Sequence, residues 1–320
     1  MAYGQDGHIG IGFQNSLGTA NVSSFWYMPF VSETLKENIE DLISKSLSSR
    51  LEEPDPYEGM HSIEGDIVIE VHPHNIGVFL KAWAGQESVS FTNSCRNHLF
   101  LPISDDWDAE KAALPPMTIE VYRDTGSAYQ YYDMMLNQLV FEISQGAIYR
   151  ATASFIGAQF AWMQKTTPTY ETGSYFTWDT VSLSIAGAAV SDISEATITL
   201  NNNLEGRAFL DGNKYHGRIL RSDFRTIELT GTMLLSGDTE ARNYKNRTLQ
   251  RVLITATDPT TVMLAHNQLV IDIPKMRYTN FPANIGGPGL VEVSFTGKGG
   301  YDATSSYAVQ FTLVNTNDAY

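Results

Sequence analysis

The sequence predicts a mainly β chain in which one unit is written twice, each copy carrying a short flanking helix and a long loop. Three observations predict this. The first is repetition: NQLVFEI at 137–143 returns as NQLVIDI at 267–273, TLKENIE at 34–40 as TLNNNLE at 199–205, and SFIG at 154–157 as SFTG at 294–297. A strand-like run around a glycine, Gly65 or Gly231, falls between the members of each copy, and all the matches keep one order. The second is alternation with period two in runs rich in Tyr, Val, Ile and Thr, the pattern of strands buried on one face. The third is the scarcity of helical periodicity, which is met once per copy.

Residues 1–31, rich in Gly, Ser and Asn, read as an arm that ends in an aromatic anchor, Phe25, Trp26 and Tyr27. The first unit then spans 32–163, a linker rich in Thr with Pro168 and Gly173 spans 164–177, and the second unit spans 178–320. In the first unit, 41–61 is a long polar segment holding Glu52, Glu53, Asp55 and Glu58 around Pro54 and Pro56. The second unit has a comparable stretch at 206–224, with Asp211, Lys214, Arg218 and three glycines. Connections this long are uncommon unless functional or disordered, and a matched pair points to contact with a partner.

Residues 62–71 alternate, with Ile63, Ile67, Ile69 and Val71 on one face and Glu64, Asp66 and Glu70 on the other. Pro73 then opens a helix whose apolar face is Ile76, Phe79, Leu80 and Trp83, and Gly85 stops it. In the second unit, Asp238 or Thr239 caps a helix with apolar positions Ala241, Tyr244 and Leu249. Residues 86–115 have no counterpart in the second unit and read as a surface insertion. Strands follow at 117–123, 138–144 and within 147–163. A hairpin-like pair at 268–279 and 289–297 turns at Gly286, Gly287 and Pro288, and 309–314 closes the chain.

No run of about 18 apolar residues is present, which predicts no membrane-spanning helix. The start of the chain lacks the pattern of a secretory leader, and the lone Cys95 fits synthesis in a reducing compartment. The net charge of −15 argues against clustered Lys and Arg gripping phosphates. Catalytic and metal signatures are also absent from the sequence. No phosphate-binding glycine loop or nucleophile elbow occurs, and Gly297, Lys298, Gly299 and Gly300 read as a turn. His72 and His74 are two ligands where zinc wants three or four. Asp105, Asp106 and Asp108 lack the spacing and closing Glu of an EF-hand and read as an acidic turn. No cofactor is expected.

Across 30–39, 64–71 and 77–85 the chain resembles the tail tube proteins of long-tailed bacteriophages: a Ser-Glu-x-Leu-Lys strand, a long loop, a Gly-Asp strand, then a short helix ending in glycine. The resemblance implies tandem β-sandwich tube domains, each with a flanking helix, whose sheets join between subunits into a closed barrel. It implies stacked rings forming a hollow tube through which DNA leaves the capsid, a virion protein made in the bacterial cytoplasm. Tape measure, terminator and distal tail proteins would be its partners. Rings in this family hold six units, so two units per chain imply a homotrimer with pseudo-sixfold symmetry, with hexamers of the whole chain as the alternative.

An acidic bore would let DNA slide without sticking. Glu142 and Asp272 stand at matching places in the repeated run, opposite the apolar face, and become lumen candidates together with Glu64, Asp66 and Glu70. Two other readings compete. In one, a monomeric β-sandwich binding module presents Phe25, Trp26, Tyr27, Tyr131 and Tyr132 to a glycan or adhesion ligand. In the other, a hydrolase on a β scaffold uses an unidentified carboxylate pair.

Overall fold

The computed structural model describes residues 2–47, 51–92, 95–103, 114–262, 265–285 and 287–320. Strands β1 (His8–Phe13), β2 (Trp26–Met28), β3 (Ser32–Glu33), β4 (Lys36–Leu42) and β5 (Tyr57–Glu70) precede helix α1 (Ile76–Ala84). Then come β6 (Gly85–Thr92), β7 (Cys95–Pro102), β8 (Met117–Tyr122), β9 (Ala128–Ser144), β10 (Arg150–Gly157) and β11 (Gln159–Met163). The chain continues with β12 (Val181–Ile185), β13 (Ala188–Val190), β14 (Ile193–Asn201), β15 (Leu204–Arg207), β16 (Arg218–Arg221) and β17 (Thr226–Leu234). Helix α2 (Thr239–Lys245) is followed by β18 (Gln250–Val262), β19 (Ala265–Asn280), β20 (Glu292–Gly299) and β21 (Gln310–Asn315).

A long antiparallel sheet runs in the order β4–β5–β10–β9–β14–β17–β20–β19. Its first four strands and its last four follow the same pattern of pairings. They meet at a seam of seven residue pairs, from Gln138↔Asn201 to Ser144↔Glu195. Among the described residues, the sheet does not close into a barrel within one chain.

Two glycines fix the correspondence between the runs. Phe155 lies opposite Gly65, and Phe295 opposite Gly231. A Cβ at Gly65 would sit 2.6 Å from the Thr34 carbonyl oxygen, and one at Gly231 would sit 2.6 Å from the Glu195 carbonyl oxygen. Each glycine thus lets the neighbouring strand pass close by. In this register SFIG and SFTG coincide. The other two matched strings do not. Residues 138–142 pair with β10 and β14, whereas 268–272 pair with β18 and β21. Lys36↔Glu64 corresponds to Thr197↔Thr230, which offsets TLKENIE from TLNNNLE by four residues. Alternating strands share short strings easily, and a string alone does not set which neighbours it meets.

β3 pairs with β5, β15 and β16 form a separate ribbon, and the other strands extend from the N-terminal halves of β9 and β19. The N-terminal half of β9 pairs with β8 and β11, and β8 continues to β1 and β2. The N-terminal half of β19 pairs with β18 and β21. Beyond them lie β12 and β13 on one side, β7 and β6 on the other. One expectation changes here. Residues 8–13 are an inner strand with Ile9 and Ile11 at 0% exposure, because β8 and β2 flank it on both sides. At the 86–115 insertion, residues 85–102 form a hairpin that pairs with the β21 edge. The acidic turn at Asp105, Asp106 and Asp108 lies outside the described residues, as does Gly286.

α1 forms where the sequence places it. Gly85 takes the left-handed conformation (φ 85°) and returns its N–H to the Lys81 carbonyl. Every α1 residue except Lys81 is buried. Phe79 packs on Phe155 of β10 (6.2 Å between ring centres), and Trp83 meets Phe311 of β21 edge-on at 5.7 Å. Trp83 Nε1–H donates to the Leu200 carbonyl at 3.2 Å, so α1 roofs the seam. α2 also lies where expected, with Asp238 at its N-cap, but buries none of its residues. Leu249 falls beyond its end and is exposed.

Candidate assembly surface

One face of the long sheet packs on the core and the other is polar. Side chains two apart on each strand share a face, so the pairings place this polar face in rows. One row reads Glu70, Arg150, Glu142, Thr197, Thr230, Thr296. The next reads Val68, Thr152, Val140, Thr199, Glu228, Lys298. Glu64 stands beside Lys36, and Asp66 lies in line with Ser154, Gln138 and Asn201. Glu195 and Glu292 complete the far end. Seven carboxylates therefore face four cations, Lys36, Arg150, Lys298 and Arg277 opposite it, among hydroxyls and amides. Opposite charges on adjacent strands hold each other loosely at such a surface, and the acidic excess remains.

Four of the five acids singled out in the sequence, Glu64, Asp66, Glu70 and Glu142, are on this face. Asp272 is not. It is 4% exposed in β19, where Arg251 Nε and an Arg251 terminal nitrogen donate to its two oxygens at 2.8 and 2.7 Å. The Tyr307 hydroxyl adds a third bond at 2.7 Å. The second run supplies Glu195, Glu228 and Glu292 instead. Their signal was the alternation within 193–201, 226–234 and 292–299, which the repeated NQLV string overshadowed.

The two long loops meet each other. Glu52, Glu53 and Asp55 are exposed between β4 and β5. Glu58, at the start of β5, receives Lys214 Nζ and lies 2.7 Å from His61 Nε2. Lys214, then His61, hold the Glu58 carboxyl below the usual carboxylate range. The His61 N–H donates to the Lys214 carbonyl at 2.8 Å, and the Tyr215 hydroxyl donates to Glu37 at 2.7 Å. Asp211 folds its own turn, accepting the Asn213 N–H at 2.9 Å, and Arg218 lies in the β15–β16 ribbon. Sequence reasoning missed His61, Tyr215 and Glu37, which no short motif marks.

The aromatic platform of the binding-module reading does not assemble as an exposed surface. Tyr131 is 2% exposed, Trp26 packs on Tyr320 at 5.1 Å, and Tyr27 donates to Thr166 at 2.6 Å. Among the described residues, no three His, Cys, Asp or Glu side chains converge as metal ligands would, and no helix is long and apolar enough to cross a membrane. His72 sits 3% exposed beside His74 with ring centres 5.5 Å apart.

A family model described as phage tail tube protein matches residues 4–299 of the 320. No curated protein matches the chain.

Proposed function

The chain belongs to the phage tail tube protein family, and from that membership we propose how it builds the tube: rings of three chains, each giving two β units, stack into the conduit for phage DNA. Its role is structural, in the virion tail. The observation that carries the proposal is the seam between β9 and β14. One chain already joins two runs of the same strand order edge to edge, which is the operation a ring repeats between chains. Closing the sheet removes its exposed edges.

In this reading the polar face is the bore, lined by Glu64, Asp66, Glu70 and Glu142 with Glu195, Glu228 and Glu292. At about 0.15 M salt the Debye length is roughly 8 Å, so these carboxylates govern what DNA meets more than the net −15 does. Asp272, occupied by Arg251, stays out of the bore set. Glu52, Glu53, Asp55, Asp211 and Arg218 reach toward the next ring, while Glu58 and Lys214 brace the two loops. The tube encloses the tape measure protein and is bounded by terminator and distal tail proteins.

Negative-stain electron microscopy with sedimentation tests the stoichiometry. Rings of three chains with apparent sixfold outline are expected. Rings of six whole chains would overturn the trimer.

A further inference from the structure

The two runs of the main sheet are not equally complete. In the first, β9 lies along β10 from Ile156↔Met135 to Arg150↔Glu142 and gives its far edge to β14. In the second, β19 lies along β20 only from Met276↔Gly299 to Asn280↔Thr296. Among the described residues, Glu292 to Phe295 therefore have a strand on the β17 side alone. At the opposite end of the sheet, β4 pairs with β5 alone among the described residues.

The correspondence of the runs says what belongs at these edges. β9 bulges at Asn137, between Leu136↔Phe155 and Gln138↔Ser154, and β19 makes its bulge earlier, at Thr279, so continuing β19 past Asn280 along β20 with no second bulge puts Phe281 where Leu136 stands. Ala283 then takes the place of Leu139, and Ile285 that of Phe141. Those three side chains of the first run are all 0% exposed. Phe281 is already buried at 5%, but Ile285 is 82% exposed. By the same register β4 stands where β14 does, and Ile39 takes the place of Leu200. Leu200 is 0% exposed and Ile39 is 53% exposed. The helices differ in the same sense. α1, packed on β9, is buried beneath its seam, while α2, packed on β19, has no fully buried residue and only half-buries Ala241 and Tyr244 against the core.

We infer that residues 281–285 are an unformed strand that extends along β20 and receives β4 of a second copy in the register of the internal seam. Ala283 then lies opposite Ile39, Asn284 opposite Asn38, and Ile285 opposite Glu37. This rests on the tube reading above and specifies which edges meet. In the single chain the Ala283 and Asn284 N–H groups donate to carbonyls only two residues back, at 3.1 and 3.0 Å. An extended strand replaces those local bonds with ladder bonds on both sides. The occupant is a second copy because β14, the counterpart of β4, already fills the matching edge inside the chain.

Directly opposite residues on antiparallel strands have Cβ atoms about 4.5–5.5 Å apart, near disulfide range. Asn38→Cys with Asn284→Cys, in a Cys95→Ser background, should oxidise in assembled tubes to a ladder of covalent multimers ending at the ring. Val140→Cys with Thr199→Cys, the same positions of the internal seam, should close within one chain and stay at monomer mass. Tubes seen by microscopy with the internal pair closed and no ladder from the first pair would overturn the inference and leave the tube reading standing. Ile285→Asp should leave the unfolding of the monomer unchanged and cut tube yield at least tenfold; an unchanged yield would also overturn it. If the Cys95→Ser parent forms neither rings nor tubes and the chain is missing from purified tails, the tube reading itself falls.

Discussion

His72 is the residue whose surroundings make the firmest demand. Burial pushes its imidazole down to about 4, the neighbouring His74 pushes the same way, and Asp258 opposes. A folded value below the unfolded one, near 6.5, means the unfolded chain takes up the proton first. The stability this gives is complete above pH 6.5 and is lost as pH falls toward 4, by up to about 3 kcal/mol. Thermal melts from pH 7.5 to 4.5 should show that slope, and His72→Asn should flatten it. Asp272→Asn should cost roughly 1–3 kcal/mol in urea unfolding, because it uncouples Arg251 and Tyr307 from a buried charged acceptor. Gly65→Ala, at φ 152° and 2.6 Å from the Thr34 carbonyl, should destabilise by about 1–3 kcal/mol. Alternation made the faces of Glu64, Asp66, Glu70 and Glu142 legible in the sequence. It failed for Asp272, because alternation separates two faces without saying what covers each.

Helix α1 and helix α2 show how far one pattern carries at the level of elements. Both were legible from proline, cap and glycine signals, yet one is buried and the other rests on the surface. Trp83→Ala should cost about 3–5 kcal/mol, read from chemical unfolding of the single chain. Tyr244→Ala, at a ring only half-buried against the core, should cost less, about 1–2 kcal/mol, and should also weaken assembly, read as tube yield. Strands β5, β8, β10, β11 and β21 were legible from period two. The role of the 85–102 hairpin and of β1 was not, because pairing across more than a hundred residues leaves no local trace. The tandem SFIG and SFTG strings kept their register because a glycine close approach pins each one.

For the whole molecule, the acidic excess on one sheet face matters more than the total charge. Glu142→Lys combined with Glu195→Lys should leave tubes intact by microscopy and slow DNA ejection, with the defect relieved as salt screens the bore. Unchanged ejection would remove these residues from the bore. The seam between β9 and β14 also sets the pace of construction. Half of the junctions in the proposed ring form during folding, at a rate independent of concentration. Only two collisions between chains then remain where six separate units would need five, the last junction of either ring closing within the complex. Dilution early in infection therefore penalises this architecture less, and a stalled intermediate can lack only whole chains, never half of one.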